Sequence, residues 1–231
     1  MEKNNEFINE DTYQTLKEFK VDPQPHEKAI EPLWKDKSKQ EKKPYSIFVA
    51  SPVHSDVSMH YTQALLEFQK MAIDKGVKTQ FSLIKSSLVT QGRNLCVSGF
   101  LESKHTHLLF IDSDIWFHSP SIFKMIEKDK QLISIPYPLK TMMWDKLFDK
   151  IQKGFVKKPT DLQKYLNTYP MRVDDPNSIT LDNGIIEVTH SPTGCMLIKR
   201  EVIMKMIEAY PEKAIVQKTV INGKYVDRPH M

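Results

Sequence analysis

The chain has 231 residues, of which 40% are hydrophobic and 27% are charged, as in a globular protein with a sizeable core. No apolar stretch approaches the roughly 20 residues of a membrane span, and the polar, acidic start MEKNNEFINED is unlike a signal peptide. The net charge of +4 is too small to indicate nucleic-acid binding. Cys96 and Cys195 favour reduced thiols and a cytoplasmic location, with a single disulfide as the alternative.

Residues 1–43 differ in composition from the rest of the chain. They contain nine lysines, ten acidic residues and three prolines, but no glycine. We interpret them as a polar, charged N-terminal extension with a short helix near residues 10–20, followed by a linker. The run Lys35–Lys43 is predicted to be solvated rather than to bind nucleic acid. Residues 44–231 are then the folded domain.

From Tyr45 onward, predicted strands alternate with predicted helices. The strands are expected over residues 45–51 (ended by Pro52), 77–84, 108–111, 132–136, 185–189 and 195–198. The helices are expected over residues 58–74 (ended by Gly76), 91–103, 120–128, 140–153 and 200–209, with residues 154–184 rich in loops. This alternation predicts an α/β domain with a mainly parallel sheet flanked by helices.

The third strand carries the most informative pattern. Its apolar run Leu108–Ile111 is typical of a strand buried on both faces, and Asp112-Ser113-Asp114 follows at its carboxyl end. Open α/β sheets place ligands at that edge. In extended geometry the two aspartates project to the same face, where they can approach one Mg²⁺ or Mn²⁺ ion. The pattern therefore indicates a site for a metal and a diphosphate.

An aspartate after a strand often has a simpler role, because it caps the next helix or turn. Here Ser119-Pro120 supplies an N-cap followed by proline at the first helical position, so neither aspartate is needed as a cap. The apolar residues 115–117 between the motif and that helix are unusual for a surface loop and indicate packing or binding there.

Candidate partners for a phosphate come from other segments. The sequence has neither G-x-G-x-x-G nor G-x-x-x-x-G-K-[ST], so it lacks the usual glycine-rich phosphate cradles. Arg93 and Asn94 stand near the start of a predicted helix, whose N–H groups favour anions. Lys140, in YPLK, is another candidate. An isolated lysine or arginine is usually a solvated side chain, and that is the alternative for each of them.

Two loops complete the set of candidates. Pro52, Val53 and His54 follow the first strand, where nucleotide-binding domains contact base and ribose; an ordinary strand-to-helix connection is the alternative. Residues 190–194 (HSPTG) form a glycine-bearing turn that either lets a ligand approach the backbone or simply joins two strands. His105 and His107 lie at the opposite end of the third strand and are predicted to be structural or exposed.

Four segments together resemble glycosyltransferases of the GT-A fold, particularly the small family 2-like enzymes of phages and large viruses that carry a D-x-D motif. In chain order they are YSIFVASPVH, then QGRNLCVSGFLES before HLLFIDSDIWF, then IPYPLKTMMW, and last HSPTGCMLIKREVI. The resemblance covers about residues 44–210 and implies a host-cytoplasmic protein if the chain is viral. It also implies a nucleotide-sugar donor (UDP- or GDP-sugar) and a glycan or other hydroxyl acceptor, with no nucleic acid and no membrane span.

The resemblance also implies roles for particular residues. Asp112 and Asp114 would hold Mn²⁺ or Mg²⁺ against the diphosphate of the donor. The other donor-site positions are Ser113 between them, Pro52 and Val53 at the base, Arg93 and Asn94 at the ribose or diphosphate, Lys140 at a phosphate, and Thr193 and Gly194 at the sugar or acceptor.

One departure concerns catalysis. Such enzymes usually continue with an acidic segment that supplies a general base, and then with a histidine that completes the metal site. This sequence ends in YVDRPHM, where Asp227 and His230 stand in a different context, so the catalytic residues are left unassigned. We therefore expect either a metal-dependent glycosyltransferase, C-terminally truncated or with these roles filled elsewhere, or a non-catalytic nucleotide-sugar-binding or assembly module.

Overall fold

The computed structural model describes residues 44–213, 215–221 and 223–230. The predicted N-terminal extension, residues 1–43, lies outside the described residues. The strands of the described part are β1 (Ser46–Val53), β2 (Lys78–Lys85), β3 (His107–Ile111), β4 (Leu132–Ser134), β5 (Cys195–Lys199), β6 (Ile215–Ile221) and β7 (Lys224–His230). Its α-helices are α1 (Met59–Asp74), α2 (Val89–Glu102), α3 (Ser119–Glu127), α4 (Trp144–Gln152), α5 (Leu162–Leu166) and α6 (Arg200–Ala209), with short 3₁₀ turns at Pro159–Asp161 and Pro211–Lys213.

The first five strands form one sheet in the order β2-β1-β3-β5-β4. β1 pairs in parallel with both β2 and β3, and β5 pairs antiparallel with both β3 and β4. Four strands therefore run in one direction and β5 runs in the other. The predicted fold class, an α/β domain with a mainly parallel sheet flanked by helices, is confirmed. β6 and β7 form a separate antiparallel hairpin.

Successive residues of a strand point to opposite faces of the sheet, and in this sheet the residues on both faces are apolar. Helices therefore cover both faces. On one face, residues such as Val49 and Leu109 pack with buried side chains of α1 and α3. On the other face, Phe48 and Leu108 pack with buried side chains of α2 and α6. The carboxyl ends of β1 and β3 thus open between two helical layers.

Helix α2 approaches the sheet closely through two glycines. A Cβ on Gly92 would lie 3.3 Å from the Cβ of Pro52, and a Cβ on Gly99 would lie 3.3 Å from the Phe48 ring. Glycine costs about 1 kcal/mol in a helix interior relative to alanine. In α2 the missing side chains let the helix pack close to the sheet, and this places Arg93 beside the end of the sheet.

Arg200, at the start of α6, anchors the other end of α2. Its guanidinium donates to the carbonyl oxygens of Phe100 and Ser103, each at 2.7 Å, and stacks 4.3 Å from the Phe100 ring centroid. The last carbonyl groups of a helix have no partner within the helix, and a cation is favourable there. The two ends of α2 are therefore fixed by different parts of the fold.

The structure corrects several predicted elements. β1 runs through Pro52 to Val53, because pairing with β3 ends at Ala50 and proline is tolerated where a strand has only one neighbour. The predicted strand at residues 185–189 is wrong: within it only residue 185 makes a β-bridge, an isolated one to residue 182, and the other isolated bridge joins residue 172 to residue 190, outside the segment. The hairpin of β6 and β7 was not predicted.

The predicted N-cap of α3 is also wrong. Ser119 is the first helical residue and His118 is the N-cap. The Ser119 hydroxyl is buried and donates to the carbonyl oxygen of Ala64, at 3.1 Å, so it ties α3 to α1 instead of capping its own helix.

The described residues contain no helix that is long and apolar enough to cross a membrane.

Candidate functional site

A cavity of about 350 Å³ lies at the carboxyl ends of β1 and β3. It is lined by the end of β1 and the loop after it, the residue after β2, the first turns of α2 and the turn after β3: Pro52, Val53, His54, Ser55, Asp56, Ser86, Val89, Arg93, Asp112, Ser113 and Asp114. Six of the ten predicted donor-site residues are in this lining. The structure therefore brings together side chains that lie far apart in the sequence, at the edge of the sheet where α/β domains place ligands.

Asp112 is held by α2 and by the neighbouring loop. Arg93 Nη2 lies 2.7 Å from Asp112 Oδ1, and both side chains are largely buried, with 19% and 28% of their surface exposed. Arg93 also donates to the carbonyl oxygen of Thr193 at 3.3 Å and lies 5.1 Å from the Phe110 ring centroid. Burial raises the pKa of Asp112, Arg93 opposes that rise, and Asp114 adds to it.

Asp114 lies in a more open position at the rim. Lys140 Nζ donates to Asp114 Oδ2 at 2.6 Å, and the two side chains are 84% and 53% exposed. This contact raises the pKa of Lys140. An exposed pair of this kind contributes little to stability, so an incoming charged ligand can replace it at small cost.

Asp112 and Asp114 were predicted to share a face because they were taken to be part of an extended strand, and that premise is wrong. β3 ends at Ile111, and residues 112–115 form a turn in which the Ile115 N–H donates to the Asp112 carbonyl oxygen at 3.4 Å. The alternation of an extended strand therefore does not apply to Asp112 and Asp114. They nevertheless line the same cavity, together with Ser113 between them.

Ser113 braces the cavity wall. Its carbonyl oxygen accepts the Ser58 N–H at 2.9 Å, and its largely buried hydroxyl donates to the Asp56 carbonyl oxygen at 3.4 Å. These bonds hold the loop after β1 against the D-x-D turn. Ser113 lines the cavity, but its hydrogen bonds are made to other parts of the protein.

Thr193 and Gly194 support the site through their backbone. The Gly194 carbonyl oxygen accepts the Asp112 N–H at 2.8 Å, and the Thr193 carbonyl oxygen accepts Arg93. Neither residue is in the cavity lining. The same is true of Lys140, which reaches the rim only through Asp114, and of Asn94, the neighbour of Arg93 on α2. One residue along a helix turns a side chain by about 100°, so adjacent residues on α2 cannot both face the cavity.

Tyr137 is a neighbour of the site that was not among the predicted residues. Its ring occupies the space beside Gly194, where a Cβ would lie 2.6 to 2.7 Å from the ring atoms and the phenol oxygen. Burial and the Asp112 carboxylate raise the pKa of Tyr137. No pattern in the sequence links the tyrosine of YPLK with the glycine of SPTG, and only the fold shows that they meet.

We expect Gly194→Ala to disturb the site through this contact. The new methyl group has no space unless the Tyr137 ring moves, so the free energy of unfolding should fall by about 1–3 kcal/mol. Denaturant unfolding measures the change. The double variant Gly194→Ala/Tyr137→Ser should recover part of the loss, and equal stabilities for Gly194→Ala and wild type would contradict the contact.

The remaining candidates lie elsewhere. Cys96 and Cys195 are both buried free thiols, and burial raises the pKa of each to about 12, so they are packing groups of the core. The predicted structural role of His105 fits its position, since its Nδ1 is buried. His190 is exposed in the bridge to Arg172 and is not in the cavity lining.

A larger cavity of about 650 Å³ belongs to a different segment. Its walls come from residues 173–175, 178–180 and 187–189 of the loop-rich region, and they include three carboxylates. It contains none of the predicted site residues. The smaller cavity is therefore the one in which the chemically informative residues meet.

The donor set at the smaller cavity fits a hard divalent cation that is completed by a substrate. Among the described residues, no group of three or more His, Cys, Asp or Glu side chains is arranged to hold a metal alone. Mg²⁺ is commonly bound by one or two carboxylates together with substrate phosphates and water. The ion pairs of Asp112 and Asp114 each engage one oxygen of the carboxylate, and both partners are cations suited to phosphate.

Comparison with known proteins gives structural neighbours only. The sequence matches no family model and no curated protein. Among solved structures, the chain is similar to A197 from STIV, with a TM-score of 0.40 and 17% identity over 69% of this chain and 68% of that chain. It is also similar to a glycosyltransferase involved in the glycosylation of the major capsid of PBCV-1, with a TM-score of 0.30 and 11% identity over 73% of this chain and 68% of that chain.

Proposed function

We propose that this protein is a glycosyltransferase that uses a divalent cation, Mn²⁺ or Mg²⁺, to transfer a sugar from a UDP- or GDP-sugar to a glycan or other hydroxyl acceptor. The observation that carries the proposal is the cavity in which Arg93, Asp112 and Asp114 meet the end of β1. Its volume of about 350 Å³ is within the range of small-molecule sites. The resemblance of four sequence segments to GT-A enzymes supports the same conclusion.

The chain supplies two kinds of contact to a nucleotide sugar. Pro52 and Val53 present apolar surface to the base, from the end of β1. Arg93 and Lys140 present positive charge to the diphosphate, Arg93 from inside the wall and Lys140 from the rim. A planar guanidinium that is already held by Asp112 loses little side-chain entropy when it binds a phosphate.

Asp112 and Asp114 would hold the cation. When bound, the cation stabilises the negative charge that develops on the departing nucleoside diphosphate. The turn at residues 112–115 keeps the two carboxylates at the cavity mouth, and Ser113 prevents the turn from moving away from the loop after β1. The protein thereby orients the donor before the acceptor arrives.

The experiment that tests the proposal is isothermal titration calorimetry of the full chain with UDP- and GDP-sugars, in Mn²⁺ and in EDTA, followed by product detection with a panel of hydroxyl acceptors. We expect metal-dependent binding and transfer to an acceptor. Binding without transfer over a broad panel would support the alternative, a non-catalytic nucleotide-sugar-binding or assembly module. If no nucleotide sugar binds with metal present, both the glycosyltransferase hypothesis and the alternative are wrong.

A further inference from the structure

Helix α4 carries an apolar stripe that nothing in the described structure covers. Trp144, Phe148 and Ile151 lie at helical spacing on one face, and Phe155 extends that face beyond the helix. We call these four residues the α4 stripe. Their exposed fractions are 62%, 62%, 45% and 54%, whereas Leu147 on the adjacent side is buried and fixes the helix to the domain.

The stripe is held in shape by the end of the helix. The Gly154 N–H donates to the Ile151 carbonyl oxygen and the Phe155 N–H donates to the Lys150 carbonyl oxygen, each at 3.0 Å, with Gly154 at φ +71°. This pattern of two bonds is the Schellman motif of a helix end. Lys150 Nζ also lies 5.0 Å from the Phe155 ring centroid. Phe155 is therefore fixed beside the helix and is not part of a loose loop.

The segment around the stripe is strongly basic. Residues 139–158 contain six lysines and two aspartates, a net charge of +4, which equals the formal net charge of the whole chain. Lys146, Lys157 and Lys158 are exposed. An amphipathic helix with aromatic residues on one face and lysines around it is typical of peripheral binding at the interface of an anionic membrane.

We propose that the α4 stripe docks this protein on an anionic phospholipid surface. The indole and phenyl rings enter the headgroup boundary, and the lysines lie against the lipid phosphates. The charge favours this occupant over a second copy of the chain, because two such segments would repel each other. Lys140 belongs to the same segment but pairs with Asp114 at the cavity, so the lysines expected at the lipid are those nearer the stripe, such as Lys146, Lys157 and Lys158. The proposal goes beyond the glycosyltransferase assignment and does not depend on it.

The test is cosedimentation of the full chain with vesicles of phosphatidylcholine alone and of phosphatidylcholine mixed with phosphatidylserine, at low and high salt. We expect binding only to the anionic vesicles, weakened by salt. The double variant Trp144→Ser/Phe148→Ser should bind more weakly by at least about tenfold. The matched control is Leu66→Ser/Ile73→Ser on α1, which removes two apolar side chains that are 62% and 67% exposed and should change binding by less than about twofold.

A second readout places Trp144 itself at the lipid. With Trp34 and Trp116 replaced by phenylalanine, Trp144 is the remaining tryptophan, and its emission should shift to shorter wavelength on anionic vesicles. The proposal is overturned if wild type binds both vesicle types equally, or if the stripe and control variants lose binding alike. It is also overturned if wild type binds neither vesicle type, and a wild-type dimer that the stripe variant dissociates would then assign the stripe to a contact between two copies of the chain. Calorimetry with nucleotide sugars on the same variants is a separate measurement, so the two proposals fail independently.

Discussion

Asp112→Asn is expected to reduce the Mn²⁺-dependent affinity for a nucleoside diphosphate by more than about 100-fold, and Asp114→Asn by about tenfold. Both changes remove a charged ligand from the proposed metal site. Asp112 is the more buried of the two and is oriented by Arg93, so water cannot easily take its place. Asp114 is half exposed at the rim, where a water molecule can substitute for a carboxylate oxygen.

Calorimetry with UDP and GDP in the presence of Mn²⁺ measures this difference, and the same titrations in EDTA give the metal-independent part. Asp74→Asn, an exposed carboxylate at the end of α1, is the control and should leave affinity unchanged. Thermal unfolding of each variant without ligand separates lost binding from lost folding. Wild-type affinity in both D-x-D variants would remove the metal site from the proposal.

The main features of the fold were predictable because they depend on local patterns. An apolar run without alternation identified β3 as a buried strand. The helical period predicted a helix over residues 58–74, and α1 spans Met59–Asp74 with Ser58 as its N-cap. Errors fell where tertiary contacts override local preference. Ser119 has the chemistry of an N-cap, yet its hydroxyl bonds the Ala64 carbonyl oxygen because α3 packs directly on α1.

The site was predictable only in part, for a similar reason. The carboxyl ends of neighbouring parallel strands meet at one edge of the sheet, so the grouping of Pro52 and Val53 at the end of β1 with Asp112 after β3 follows from the order of elements. The contact of Tyr137 with Gly194 depends on a loop whose path no local pattern determines. Asn94 was predicted to share the site with Arg93, but only Arg93 lines the cavity. Adjacent residues of a helix point in different directions, so their closeness in sequence did not place both side chains at the site.

Arg93→Ala is expected to reduce the stability of the metal-free protein by about 2 kcal/mol at neutral pH, through the loss of a largely buried charge-assisted hydrogen bond. The size of this loss should depend on pH. Burial already raises the pKa of Asp112 in the folded protein, and Arg93 opposes that rise. Without Arg93, the folded-state pKa rises further, while the unfolded value stays the same.

The sign follows from proton binding. Between the unfolded and the raised folded pKa of Asp112, the folded state holds more protons than the unfolded state, so stability falls as pH rises through that window. In Arg93→Ala this pH window is wider, because the folded-state pKa of Asp112 is higher. The loss of stability of Arg93→Ala relative to wild type therefore grows toward neutral pH and shrinks as Asp112 becomes protonated. Denaturant unfolding in EDTA from about pH 8 to about pH 4 measures this trend.

The double variant Arg93→Ala/Asp112→Asn provides the control. It removes the carboxylate whose burial Arg93 compensates, so it should be more stable at neutral pH than Arg93→Ala alone and should lack the extra pH dependence. A deficit for Arg93→Ala that stays constant over the whole pH range would instead assign the effect of Arg93 to its contacts with Phe110 and the Thr193 carbonyl oxygen. In that case the guanidinium would be a packing group of the cavity wall rather than the electrostatic partner of Asp112.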